Sequence, residues 1–204
     1  MQALAGEYLA RIRAAHPAGS FTLAGWCLGG PLAYKIALQA QAEGDGVRID
    51  DVILIDPPRA EKPTNSDAVL IAHIHNACPH QPRPVVVEAL SATQQLPIPQ
   101  RAAALVDLLG SAGPGRADYP LLGQLLMRLR DNAAMSGWQP AGRVPHLTLY
   151  LPQILTPDND NAGQTWRART TSLTVTTIPG DHESMLTAAE LHQAMATRPI
   201  PAST

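Results

Sequence analysis

Between the apolar run Phe21-Thr22-Leu23-Ala24 and a helix-like stretch from Pro31 to Ala42 stands the hexapeptide Gly25-Trp26-Cys27-Leu28-Gly29-Gly30. A strand that turns on one nucleophilic residue and passes at once into a helix constrains the fold strongly. The two elements must lie back to back, with the reactive side chain at the tip of the turn, as in the G-x-S-x-G elbow. Gly25 and Gly29 stand two before and two after Cys27. They are the positions where side chains are expected to collide as strand and helix fold together, and glycine also tolerates the unusual dihedrals of such a turn. A free thiol ionises near pH 8.5, and a helix N-terminus or a neighbouring imidazole favours its thiolate further. Cys27 is therefore the candidate acyl-accepting nucleophile.

The elements around the elbow alternate. Leu4, Tyr8, Leu9 and Ile12 have helical spacing, closed by His16-Pro17-Ala18-Gly19. After the elbow helix, Gly44-Asp45-Gly46 makes a stop, and Val52-Ile53-Leu54-Ile55 is a short, wholly apolar run of the kind that forms a parallel strand covered on both faces. From about Glu61 to Pro140 the texture changes to helical patterns near Asp67–His75, Gln100–Leu109 and Leu121–Ala134, with joints such as Gly113-Pro114-Gly115. Strand patterns resume at His146–Leu151 and Ser172–Ile178, and Ala188–Ala196 is helical. This order predicts an α/β fold with a mostly parallel sheet, interrupted over residues 61–140 by a helical insertion placed as a lid would be. At 204 residues the chain has the length of one domain.

Composition removes several classes of function. Fifteen Lys plus Arg against 17 Asp plus Glu, a formal net charge of −2, offers no basic surface for nucleic acid or an anionic membrane. No apolar stretch approaches the roughly 20 residues that span a bilayer. Two cysteines, Cys27 and Cys78, make no disulfide framework, and the chain fits a reducing cytoplasm.

A nucleophile needs a base, and the base an orienting acid. Asp56 ends the run Val52–Ile55, at the end of a strand where catalytic groups collect in open α/β sheets, and His182 follows the run Ser172–Ile178 in Gly180-Asp181-His182-Glu183. The order Cys27, Asp56, His182 is that of nucleophile, acid and histidine in α/β hydrolases. Asp158 and Asp160, after the strand ending at Leu151, are rivals for the acid, and Asp181 is a turn residue beside His182.

Gly-Trp-Cys-Leu-Gly-Gly with Ala33-Tyr34-Lys35-Ile36-Ala37, then Leu54-Ile55-Asp56-Pro57-Pro58, then Gly180-Asp181-His182-Glu183-Ser184-Met185-Leu186 resembles the terminal thioesterase domains of nonribosomal peptide synthetases, within the α/β-hydrolase superfamily. Tyr8, Ile12, Arg13 and the His16–Gly19 turn extend the likeness upstream; the lid region carries none of it. The resemblance implies a single thioesterase-like domain over 1–204, with Cys27 acylated, His182 as base, Asp56 as acid and the Leu28 N–H in the oxyanion hole. It implies no cofactor of its own: a peptidyl chain would arrive as a thioester on the phosphopantetheine arm of a peptidyl carrier protein and leave by hydrolysis or cyclisation.

The chain departs from that family in two ways. Cysteine replaces the usual serine, a replacement that resembles enzymes closing strained β-lactones and β-lactams. The family also has strands before the helix Leu4–Ala15, including the loop that supplies the second oxyanion donor, so the chain is expected to be a fragment of a larger domain, partial at its N-terminus. Two other readings stand beside this one. A free-standing editing thioesterase would hydrolyse misprimed carriers but usually carries Gly-His-Ser at the elbow, and a shortened domain would bind carrier or acyl chain without turnover.

His73, His75 and His80 near Cys78 match no zinc-ligand spacing and are read as solvated side chains. Trp26 is read as packing beside the elbow, with lining of the acyl channel as the alternative, Trp138 and Trp166 have no assigned role, and Leu121, Leu122, Leu125, Leu126 and Leu129 are read as core first and substrate contacts second.

Overall fold

The computed structural model describes residues 1–44, 46–58, 70–71, 74–75, 81–110, 119–135, 138–155 and 161–198; the side chains of 110, 119–121 and 132 are outside that description. The rival acids Asp158 and Asp160, and His73, Cys78 and His80, lie outside the described residues. The chain forms two compact units, residues 1–62 with 138–204, and residues 63–137.

The first unit is built on a four-stranded sheet of order β1-β2-β3-β4, every neighbouring pair parallel: β1 Gly19–Trp26, β2 Val47–Ile55, β3 Val144–Pro152 and β4 Thr170–Ile178. Helices α1 Gln2–Ala15 and α2 Gly29–Glu43 precede and follow β1. The α/β class read from the sequence is the class observed.

β2 begins five residues before the apolar run that announces it, because a bulge hides its first half. Phe21 pairs with Ile49 but Thr22 with Asp51, so Asp50 is the extra residue. Val47 and Ile49 therefore share a face with Val52 and Leu54, while Ile53 and Ile55 face the other way. The period of two that marks a strand is broken at Asp50, so a pattern search stops there.

One face of the sheet carries α2 and α1 over a core that includes Leu9, Tyr34, Leu54, Leu147 and Trp166. Trp166 comes from a short helix, absent from the sequence reading, Ala162–Arg167; it is fully buried, meets the Tyr34 ring edge-on at 5.2 Å and donates its indole N–H to the Pro58 carbonyl at 3.1 Å. Trp138 packs against the same core. Burial pushes the Tyr34 phenol up to about 12, against the opposing pull of Arg169 and Arg143, and its hydroxyl donates to the Gly142 carbonyl at 2.8 Å. Tyr8, expected on the apolar side of α1, is 45% exposed; Ala5 and Leu9 are the buried pair.

The other face is covered by the 3-10 turn Ser184–Thr187 and the helix Ala189–Ala196, which pack Met185 and Leu191 against Ile53, Ile55, Tyr150 and Ile178. On that face Asp51 is buried, ion-paired with Arg198, and accepts a hydrogen bond from the Thr148 hydroxyl at 3.4 Å.

The second unit contains helices Arg83–Thr93, Ile98–Gly110 and Tyr119–Met135. The first of these is not among the helical patterns read from the sequence; it opens at Arg83-Pro84, with proline in the first turn, where its missing N–H leaves no helical bond unmade. Leu70, Ile74, Val86, Leu90, Leu105, Leu125 and Leu129 form its core, with Leu122 and Leu126 partly buried against it.

Candidate active site

Three segments converge at the carboxyl ends of β1, β2 and β4. β1 passes into the elbow, whose Cys27 N–H donates to the Ile55 carbonyl at 2.9 Å, while the Gly30 N–H returns to the Cys27 carbonyl at 3.1 Å. β2 passes into Asp56, whose N–H donates to the Tyr150 carbonyl at 2.8 Å and so extends the sheet ladder by one step. Cys27 has φ +52° and Asp56 φ +40°, the positive-φ non-glycine residues of the described chain. A side chain in that region costs about 1–3 kcal/mol, and such strain clusters where function over-determines the backbone.

The crowding at the elbow corrects the reading of its glycines. A Cβ on Gly25 would fall onto the carbonyl group of Gly29 and 2.5 Å from the Gly30 nitrogen, all backbone. Gly29 itself has open space, whereas a Cβ on Gly30 would meet Leu54 at 3.2 Å and the Gly25 carbonyl oxygen at 3.3 Å. Glycine is thus required at 25, tightly fitted at 30 and dispensable in space at 29, because α2 backs onto β1 through its first-turn backbone. Gly25→Ala is expected to destabilise by about 3 kcal/mol, the upper range of overpacking against atoms that cannot yield. Gly29→Ala should stay within about 0.5 kcal/mol. Urea midpoints with unchanged slopes would check the order Gly25, Gly30, Gly29.

His182 follows β4 and the positive-φ Gly180. Its Nδ1 lies 2.5 Å from Asp56 Oδ2, and the carboxylate is almost fully buried while the imidazole is 35% exposed. The Asp56 hydrogen bond first, then one with the Cys27 thiol, pushes the imidazole up to about 10, outweighing the partial burial that favours its neutral form. The structure therefore brings Cys27, Asp56 and His182 together. Leu28 caps the N-terminus of α2, where first-turn amides have no partner within the helix.

Asp181 is turned away from this group. Its Oδ1 accepts from the Ser184 amide at 2.9 Å, the Ser184 hydroxyl at 2.6 Å and the Glu183 amide at 3.2 Å, and these bonds hold its carboxyl below the usual range. This turn clips the loop that carries His182. Trp26, read from sequence as packing, stacks on the His182 ring at 4.7 Å between centroids and donates its indole N–H to the His182 carbonyl at 3.2 Å. Strand alternation was the available signal: residue 26 must face away from α2 when residue 25 faces it. Among the described residues no cluster of His, Cys, Asp and Glu could hold a metal, and no helix is long and apolar enough to cross a membrane.

A parallel sheet with helices on both faces, and an elbow, an acid and a histidine in this order at its carboxyl end, defines the α/β-hydrolase class. The family model described as the thioesterase domain matches residues 1–198, and the chain belongs to that family. Among solved structures, the surfactin thioesterase domain SrfTE superposes with a TM-score of 0.61 at 15% identity, covering 98% of this chain and 77% of that one. The prodiginine-pathway thioesterase RedJ of Streptomyces coelicolor gives 0.59 at 16%, covering 96% and 65%. A four-domain nonribosomal peptide synthetase gives 0.61 at 19%, covering 97% of this chain but 16% of that chain. In sequence, 58 residues are 41% identical to the non-reducing polyketide synthase terA of Aspergillus terreus. Fifty-six are 45% identical to the synthase crz7 of Cladonia metacorallifera. Each of these two matches spans 28% of this chain and 3% of the synthase.

Proposed function

We propose that this chain releases an acyl group from a carrier-protein phosphopantetheine thioester through an acyl-enzyme on Cys27. The observation that carries the reading is the His182 Nδ1 to Asp56 Oδ2 contact at 2.5 Å, on a histidine whose raised value also draws on the thiol of the elbow cysteine. An imidazole held protonated through neutral pH beside a thiol favours the nucleophilic form of that thiol and keeps a proton ready for the leaving group. The thiolate attacks the thioester carbonyl, the oxyanion forms near the Leu28 N–H, and collapse expels the pantetheine thiolate, which takes the proton from His182. In the second half, His182 removes a proton from water or from an amine or hydroxyl of the same acyl chain. That oxygen or nitrogen bonds to the carbonyl carbon, and Cys27 leaves with the proton.

Acylation exchanges one thioester for another and is close to isoenergetic, so the acyl-enzyme stays activated. That favours capture by an internal nucleophile and hence cyclisation, including strained lactams or lactones. Peptidyl thioesters are the substrate class that the resemblance implies, and the short matches to polyketide synthases favour a polyketide chain as a second class.

The test is intact mass after incubation with an acyl-pantetheine thioester. One acyl group per chain, discharged by neutral hydroxylamine, is expected for the native protein; Cys27→Ser should carry an oxyester that resists it. Folded native protein without any adduct would overturn the reading in favour of a domain that binds without turnover, and release of linear acid alone would overturn cyclisation.

A further inference from the structure

β1 directs Gly25 against α2 and Trp26 to the opposite face of the sheet, into the cluster formed by Met185, Leu191 and Ile55. There the indole engages one residue 156 positions away twice. Its ring lies over the His182 imidazole at 4.7 Å with 27° between planes, and its N–H holds the His182 backbone carbonyl at 3.2 Å. The Asp56 contact fixes a single atom, Nδ1, about which the imidazole could still swing. A flat partner against the ring removes that freedom, and the carbonyl bond fixes the backbone from which the ring projects.

We propose that Trp26 is the positioning residue of His182, holding the imidazole plane between Asp56 and Cys27 and offering a π face that favours the imidazolium. Indole is the best of the aromatic faces for a cation, and desolvation on one side strengthens the contact. Among the described residues, the charged or titratable groups bearing on His182 are Asp56 and Cys27. On its own loop, Asp181 is committed to Ser184 and Glu183, and His192 Nε2 meets the Leu186 carbonyl at 2.9 Å. Tyr150, in the cluster beneath, is pushed up by burial and is neutral at physiological pH. The indole is thus an uncharged contribution beside those of Asp56 and Cys27, and it rests on the stacked geometry of the two rings. The role rests on the reading of His182 as the catalytic base.

The decisive measurement is the NMR titration of His182 in isotopically labelled protein without substrate. Trp26→Leu should lower its midpoint by about one pH unit, the size of a partly desolvated cation–π contact. Trp26→Phe, which keeps a ring and loses the N–H, should lower it by less. Fluorinated tryptophans in the native sequence weaken the π face without changing shape, and should lower the midpoint progressively as fluorine is added. With acyl-pantetheine, Trp26→Leu should lower kcat about ten-fold with KM little changed, as one unit of lost transition-state stabilisation predicts. An unaltered His182 midpoint across the fluorinated series overturns the proposal, and so does an unaltered midpoint in folded Trp26→Leu. If Trp26→Leu does not fold, the fluorinated series decides alone. Absence of an acyl adduct in the native protein would overturn the thioesterase reading and leave this titration result standing, so the two failures are distinguishable.

Discussion

Cys27→Ala is expected to abolish turnover of an acyl-pantetheine thioester, with a loss of about six orders of magnitude in kcat, as when a covalent nucleophile is removed from a comparable hydrolase site. The thiol is the atom that would bond to the acyl carbon, and nothing at that position in alanine replaces it. Stability should change little. Position 27 is held at φ +52° whatever its side chain, so cysteine and alanine pay the same backbone strain of about 1–3 kcal/mol. Steady-state assay with intact mass checks the outcome, and turnover surviving in the folded alanine variant would remove Cys27 from the mechanism. Cys27→Ser, by contrast, should retain acylation and lose preferentially in the second half-reaction, where an oxyester is a poorer acyl donor than a thioester.

The second large effect is expected from Asp56→Asn, about 10⁴-fold in kcat, the cost of losing the acid that fixes the tautomer and supports the imidazolium. Asparagine tolerates φ +40° as aspartate does, so the backbone of the turn is kept. The pH dependence should change with it. Asp56 is the largest cause of the elevated His182 value, so its removal moves the alkaline limb of kcat/KM from about 10 toward 6.5. The sign of the stability effect follows from the same shift. A histidine raised on folding stabilises fully below about 6.5 and loses that contribution as pH rises through about 10. The native protein should therefore lose stability relative to Asp56→Asn between neutral pH and pH 10.5 in paired urea titrations. Parallel curves for the two proteins would show that the carboxylate does not hold the imidazole charged.

Much of the sheet was visible as pattern. β1, the core of β2, β3 and β4 each announce themselves because an apolar run between turn residues has few other fates, and α1, α2 and the last helix follow from spacing of three and four. What was missed has physical causes. The first half of β2 is obscured by the bulge at Asp50, and helix Ala162–Arg167 by its length of six residues; helix Arg83–Thr93 was missed although the proline in its first turn is a start signal. Gly29 was assigned a steric role that belongs to Gly25 and Gly30.

Sequence alone determined the local chemistry: a cysteine at the tip of a strand-to-helix turn, an aspartate directly after an apolar strand and a histidine after another. These are short-range properties, set by residue type and by a few neighbours along the chain. Tertiary structure decided what those residues do to one another. The 2.5 Å contact of Asp56 with His182 spans 126 positions and the Trp26 stack spans 156. Such contacts depend on strand register and on which face each side chain takes. Those are properties of the paired sheet, where one bulged residue reverses every side chain beyond it.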